Sequence, residues 1–197
     1  VMEQSAVQIN ADGTVVAQIT LNLPARGRSV LAHAAQYIFS NVLPLLIQDS
    51  LVFESLSANM LMQHVQQHVD SVEEQLWLQD QLDDAGLVAF VRNGAILPRV
   101  SGAADLPMLA ANGAIPFQSP PNLEVSFTLP ITGTIVTGMG MRKGVTLICG
   151  GGFHGKSTLL QTLQLGVYSK IPGDGREFCV TSANAMNIRA EDGRCVK

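Results

Sequence analysis

This 197-residue chain is short of charge, aromatic rings and cysteine, and each shortage removes a class of protein. Charged residues make up 14% of it, with 12 basic side chains against 16 acidic ones and a net charge of −4. A dedicated duplex-binding domain carries a strong basic excess, so nothing in the overall charge demands nucleic acid. The three cysteines, Cys149, Cys179 and Cys195, are odd in number and scattered, which excludes a disulfide framework and a zinc ribbon. All three read as thiols in a reducing compartment, with Cys149 in the core. No basic segment precedes a short apolar run at the start, so no signal or transit peptide is visible. The longest apolar stretch, residues 30–53, is interrupted by His33, Gln36, Asn41, Gln48 and Asp49. Those groups are costly in lipid, so the stretch reads as buried helix rather than a membrane span. No internal repeat or low-complexity tract occurs.

Apolar residues make up 47% of the chain, enough to fill a core. The segment "INADGTVVAQITLNLP" predicts a hairpin turning at Asp12-Gly13 and a strand ending at Pro24, with Ile19, Leu21 and Leu23 on one face. "ARGR" reads as a loop. A helical period begins near Ser29, and Pro44 should kink or end that helix. "ANMLMQHVQQHV" predicts a second helix. A third should start at Ser71, where Glu74 completes a capping-box spacing, and run to about Ala85 with Gly86 as its cap. "LVAFV", "RNG" and "AIL" predict a second hairpin turning at Asn93-Gly94. A Pro/Gly/Ala-rich junction follows, and a domain boundary is expected near Ser119. Beyond it, "NLEVSFTLP", "GTIVTGMGMRKG" and "EFCVT" read as strands. "VTLIC", residues 145–149, has the continuous apolar character of a strand buried on both faces. "KSTLLQTLQLGVY" reads as a helix with Leu159, Leu163 and Val167 on one face.

The stretch "GGGFHGKST", residues 150–158, carries the chemistry. Gly150, Gly155, Lys156 and Ser157 satisfy G-x-x-x-x-G-K-[ST], and the flanks supply a strand before and an amphipathic helix after. Such a loop wraps an anion with consecutive backbone N–H groups at a helix N-terminus. The expected phosphate cradle is Gly150, Gly151, Gly152, Phe153, His154, Gly155, Lys156, Ser157 and Thr158. The amides from about His154 to Thr158 face the phosphates, Lys156 reaches the β- and γ-phosphates, and the Ser157 hydroxyl ligates Mg²⁺. Elsewhere the bland reading prevails. His64 and His68 lie four apart, but no glutamate follows His64 and no third ligand is evident, so they read as a solvated or packed pair. Asp83-Asp84 reads as a solvated helix end. Arg26, Arg28, Arg92, Arg99, Arg142 and Lys143 read as scattered surface cations that could contact RNA phosphates.

Taken together, "GMGMRKGVTLICGGGFHGKSTLLQTLQLGVYSKIPGDGREFCVT" and "IRAEDGR" resemble a family of ABC-class ATPases. The resemblance continues upstream through "LEVSFTLP", "IPFQSP", "GLVAFVRNGAILPRVSGAADLP" and "LPARGR", so it covers most of the chain from about Leu21. "IPGDGREF" and "IRAEDGR" are more specific than the phosphate loop alone. The resemblance implies an α/β protein with an N-terminal mixed α/β domain followed by the start of a P-loop, ABC-like nucleotide-binding domain. Residues 1–118 would be part of the first domain with its junction loop, and 119–197 the N-terminal part of the second, with a Walker A loop and no Walker B. It further implies ATP and Mg²⁺ as ligands, Lys156 as the catalytic cation, and closure as a dimer or larger assembly without a membrane. Mitochondrial relatives associated with RNA processing suggest RNA or a ribonucleoprotein as partner, in the cytoplasm or the mitochondrial matrix.

Two departures from that family pattern stand out. Phe153 occupies the place of the middle glycine in many such loops, so its ring must point away from the phosphates or cover them. The aromatic that commonly stacks on adenine falls at Leu129, with Phe127 on the same strand face as a substitute. Glu191 and Asp192 fall near the Q-loop position, within reach of the magnesium shell, and are not a convincing catalytic base. The acidic strand end and signature loop that hydrolysis needs do not occur by Lys197. The expectation is therefore a fragment of a hydrolysing ATPase. The alternatives are a nucleotide-binding scaffold with little turnover, and a small-molecule kinase that the family motifs count against.

Overall fold

The computed structural model describes residues 6–53, 55, 61–102 and 104–188. They divide into two compact units, Met2–Gln66 and Gln67–Lys197. The expected junction near Ser119 lies within the second of these.

In Met2–Gln66, strands β1 (Val7–Ile9) and β2 (Val15–Ala17) pair antiparallel around the expected turn. The Asp12 carboxylate accepts from the Thr14 amide at 2.9 Å, which lowers its pKa below the usual value. The strand expected at residues 18–24 does not form, and Ile19, Leu21 and Leu23 are exposed. Alternation alone gave them a strand pattern, but among the described residues no neighbouring strand takes up their backbone groups. "ARGR" forms a tight hairpin instead of a loop, with β3 (Ala25–Arg26) against β4 (Ser29–Val30). Helix α1 (Ala32–Tyr37) continues through a π-helical turn, Ile38–Val42, into α2 (Leu43–Leu51). Pro44 neither ends nor breaks the helical run. It sits in the first turn of α2, where its missing N–H is tolerated, and the wide turn before it closes with a bond from the Leu43 amide to the Ile38 carbonyl. None of the described residues up to Ser55 is fully buried.

The second unit has one four-stranded sheet between two helices. Helix α3 (Leu61–Asp84) is continuous, so the expected break at Ser71 is absent. Glu74 does not reach back to Ser71. It is buried and accepts from the amide and hydroxyl of Thr132 at 2.7 and 2.8 Å. A long-range partner has taken the group that a local cap would have used. The helix ends as expected, with the Gly86 amide bonded to Asp83 O. Strand β5 (Leu87–Arg92) follows, then β6 (Glu124–Thr128), β7 (Ile135–Arg142) and β8 (Val180–Thr181). All pairings are antiparallel, in the order β6-β7-β5-β8.

The hairpin expected at Asn93-Gly94 does not form, because β5 has β7 and β8 on its two edges. Residues 95–97 instead bond to a loop: Phe117 N donates to Ala95 O at 2.8 Å and Ile96 N to Gly175 O at 2.7 Å. Alternation along β5 separates two cores. Phe90 joins Leu78, Leu82, Leu129, Val136 and Val180 on the α3 side. Val91 joins Leu97, Met139 and Cys179, with Leu159 and Leu163 packed against them, on the side of helix α4 (Lys156–Leu165). The strand buried on both faces is thus β5. Residues 145–149 form no strand among the described residues, and Val145, Leu147 and Cys149 are exposed. Of "EFCVT", Val180–Thr181 is strand. No described helix is long and apolar enough to cross a membrane.

Close approach of β7 to β5 leaves no room at Gly138, where a Cβ would lie 2.2 Å from Val91 O and 2.8 Å from Arg92 Cα. Both are main-chain atoms, so neither can rotate away. Gly138→Ala is expected to destabilise the second unit by at least about 1–3 kcal/mol, read as a lower urea midpoint. An unchanged midpoint would show that β7 and β5 are further apart than described.

Candidate functional site

Helix α4 begins at the end of the glycine-rich loop. Gly155 is its N-cap, at φ +76°, a conformation that suits a residue without Cβ. No side chain caps this helix and its first turn holds no acidic residue. The amides of Lys156, Ser157 and Thr158 therefore have no intrahelical acceptor; the regular ladder starts with Leu159 N to Gly155 O at 2.9 Å. Aligned N–H groups at an uncapped start carry a partial positive charge and favour an anion.

A cavity of about 400 Å³ opens at this end of the helix, lined by Phe153, His154, Gly155, Lys156, Ser157 and Thr158. Lys156 brings its ammonium to this cavity, and the Nζ donates to the carbonyl of Gly151 across the loop. Gly150, Gly151 and Gly152 form the exposed other limb. The imidazole of His154 lies so close to Gly151 that a Cβ there would come within 2.8 Å of it. Thus the loop brings six of the nine expected residues around one cavity, and ties Gly151 to it through Lys156. Phe153 has φ +60° and its ring is fully exposed. Phe153 also lines the cavity at the helix start.

What holds the helix is the sheet. The Thr181 hydroxyl on β8 donates to Leu163 O at 2.8 Å, and the Thr181 amide donates to Gly166 O at 2.9 Å. Buried Thr162 donates to Thr158 O at 2.8 Å, and Leu159 and Leu163 enter the second core. Val167 lies past the helix end.

Several polar groups missed in the sequence reading fix the surroundings. Gln75 on α3 clasps the backbone of Lys170, accepting from its N and donating to its O, both at 2.8 Å. Partial burial lowers the pKa of the Lys170 ammonium, which donates to Leu165 O and Tyr168 O. Arg99 pairs with Asp174 at 2.7 Å. Arg176 is 1% exposed and donates through Nε and Nη2 to the Leu97 carbonyl, the former at 2.9 Å. Burial, helped by neighbouring Arg99, lowers its pKa, and Asp174 opposes that shift. The only sign of these roles in the sequence was the motif "IPGDGREF", whose spacing says nothing of a partner 79 residues away.

Other expected residues fall elsewhere. Phe127, half-buried, meets Phe90 edge-on at 5.4 Å beside the first core, and Leu129 is buried in that core. Cys149 is exposed rather than core. On α3, His64 is exposed and His68 half-buried, and the described residues contain no cluster of three metal-binding side chains. Glu191, Asp192 and Cys195 lie outside the described residues.

Two family models match the chain: the ABC_ATPase P-loop domain over residues 61–197, and the N-terminal region of ATPases of the ABC class over residues 1–54. Among curated proteins, an uncharacterized protein of Methanocaldococcus jannaschii is 32% identical over 140 residues. That match takes in 62% of this chain and spans 30% of the length of the archaeal protein.

The packing of β8 against α4 predicts a reactivity difference. Burial pushes the Cys179 thiol up to about 12 from 9.0. At pH 8 iodoacetamide should alkylate Cys149 and spare Cys179 in the folded protein, as read by peptide mass mapping. Because the unfolded thiol ionises first, folding stability should fall as pH rises from 9 toward 12. Equal labelling of the two cysteines would mean that β8 does not seal the second core.

Proposed function

The chain belongs to the ABC-class ATPase family, and from that premise we propose that it is the ATP-binding portion of an enzyme coupling Mg²⁺–ATP hydrolysis to conformational change on a partner. The observation that carries this reading is the uncapped start of α4, with Lys156 lining the cavity beside three free main-chain donors. In this reading the amides from about His154 to Thr158 hold the phosphate oxygens. Lys156 exchanges the Gly151 carbonyl for the γ-phosphate, a stronger acceptor because it is charged.

The residues present also fit Mg²⁺. Ser157 and Thr158 place hydroxyl oxygens at the cavity, and hard oxygen donors suit this ion, which keeps waters and phosphate oxygens as its other ligands. Ser157 would hold it, and the bound ion would offset charge on the β- and γ-phosphates. Phosphoryl transfer depends on positioning and charge stabilisation, and both Lys156 and the amides contribute to them.

No carboxylate lines this cavity among the described residues. That favours, as a second reading, a scaffold that binds nucleotide with little turnover. The two readings separate on one assay. For the enzyme, Lys156→Ala should cost on the order of 2–4 kcal/mol in the transition state, a fall of about 30- to 1,000-fold in ATP turnover. Chelation of Mg²⁺ should also abolish turnover. Hydrolysis by Lys156→Ala at the parent rate would refute the role given to Lys156, whereas tight binding without any turnover in the parent would favour the scaffold.

The partner in this proposal is RNA or a ribonucleoprotein, engaged by a dimer or larger assembly. Of the six cations singled out, Arg99 pairs with Asp174, Lys143 with Asp83, and Arg92 lies over the Phe178 ring at 5.4 Å. Arg26, Arg28 and Arg142 are exposed, the first two on the β3–β4 hairpin. The free thiols Cys149 and Cys179 suit a reducing compartment, cytoplasmic or mitochondrial. If those arginines contact RNA, log affinity should fall linearly with log salt, and Arg26→Ala with Arg28→Ala should flatten the slope by about 2. A slope unchanged in that double variant would remove the hairpin from the interface.

A further inference from the structure

The cavity at the start of α4 does not end at the phosphate loop. A second cleft, of about 520 Å³, shares Phe153, His154, Gly155 and Thr158 with it and runs on between the loop and residues 97–117. This volume lies within the range of small-molecule sites, about 300–1,000 Å³. Its far wall is apolar, formed by Leu97, Met108, Ile115, Pro116 and Phe117. Within the second cleft the polar side chains are His154 and Thr158, both from the phosphate loop.

The far wall has no regular secondary structure where it meets the cleft, yet it is held at several points. Phe117 exchanges backbone bonds with Ala95 and Gly94 at 2.8 Å and packs on the second core. Met108 N donates to Pro98 O at 3.0 Å. The Leu97 carbonyl takes the Arg176 guanidinium, and the next turn of chain is pinned by the Arg99–Asp174 pair. A loop anchored in this way keeps a fixed shape. Across the cleft stands Phe153, in the left-handed region at φ +60° with its ring fully exposed. An aromatic residue in that conformation is strained, and an exposed ring offsets none of the strain by burial. Ile115 on the opposite wall is 81% exposed.

We propose that this cleft receives the base of the bound nucleotide, stacked between Phe153 and the wall at Ile115. The inference rests on the phosphate-cradle reading above and extends it from the triphosphate to the nucleoside. Continuity points to the occupant: a ligand anchored by phosphates at Gly155–Thr158 has its other end directed either to solvent or into the apolar cleft that shares Gly155 and Thr158 with the phosphate cavity. It also accounts for a phenylalanine where a glycine would be less strained. Phe127 and Leu129 belong to the first core and do not line this cleft. The cleft offers faces rather than a set of hydrogen-bonding side chains, so it holds a purine by stacking.

The test compares ATP with inorganic tripolyphosphate by calorimetric titration on the protein and on two variants, Phe153→Gly and Ile115→Ser. Glycine at 153 tolerates the positive φ, so the phosphate loop keeps its course. ATP should bind the parent more tightly than tripolyphosphate does. Phe153→Gly should weaken ATP about 5- to 150-fold, the value of one base–aromatic stack, and Ile115→Ser should weaken it in the same direction. Tripolyphosphate affinity should stay within about twofold in Ile115→Ser, which lies outside the phosphate cavity, and should fall less than ATP affinity does in Phe153→Gly. If tripolyphosphate binds the parent as tightly as ATP, or if Phe153→Gly leaves ATP affinity unchanged, the base site is overturned while the cradle stands. If tripolyphosphate does not bind at all, the cradle fails and the base site with it.

Discussion

Three main-chain N–H groups at the start of α4 have no acceptor within the helix and no side chain to cap them, and the candidate site is arranged around that deficit. A buried helix start would need partners from the protein; this one opens onto a cavity where an anion can supply them. Everything near it serves to hold the deficit in place. Thr181 ties the helix to β8, Thr162 ties its first turn to its second, and Leu159 and Leu163 lock one face into the core. The loop before it is left free of such ties, apart from the Lys156 bond back to Gly151.

The second unit relies on polar clasps as much as on apolar packing. Glu74, Gln75 and Arg176 are all buried, and each satisfies backbone groups far away in sequence, at Thr132, Lys170 and Leu97. Buried polar groups of this kind are costly unless paired, so the pairing fixes which loop lies where. The Leu97 and Lys170 clasps hold the two irregular segments that flank α4, and the first of these is a wall of the apolar cleft. Irregular chain becomes a shaped surface because its carbonyls are held by buried side chains, Gln75 from α3 and Arg176 from the loop before β8.

Local signals were legible where the chemistry is local. The Asp12-Gly13 turn, the Gly86 helix end, strand β6 and the loop-to-helix passage at Gly155 all depend on a few adjacent residues, and each formed as read. Errors came where two interpretations share one pattern. Residues 145–149 and β5 are both short apolar runs; which of them is buried on two faces depends on the neighbours each finds, and β5 finds β7 and β8. The Ser71–Glu74 spacing suits a helix cap and equally a glutamate turned inward, and Thr132 decides between them. Ile19, Leu21 and Leu23 alternate as a strand would, yet among the described residues they have no pairing edge and stay exposed.

By itself the amino-acid sequence determined the helix end at Gly86, strand β6, the glycine-rich loop with Lys156 at the start of a helix, and membership of the P-loop family, because these follow from residue types at fixed spacings. Tertiary structure decided the rest. It buried Leu129 in the core with Phe127 packed against it, placed Phe153 and an apolar wall around one cleft, and joined Arg176 to Leu97. Those outcomes depend on contacts between residues tens of positions apart, whose energies are settled only when burial, pairing and chain geometry are satisfied together.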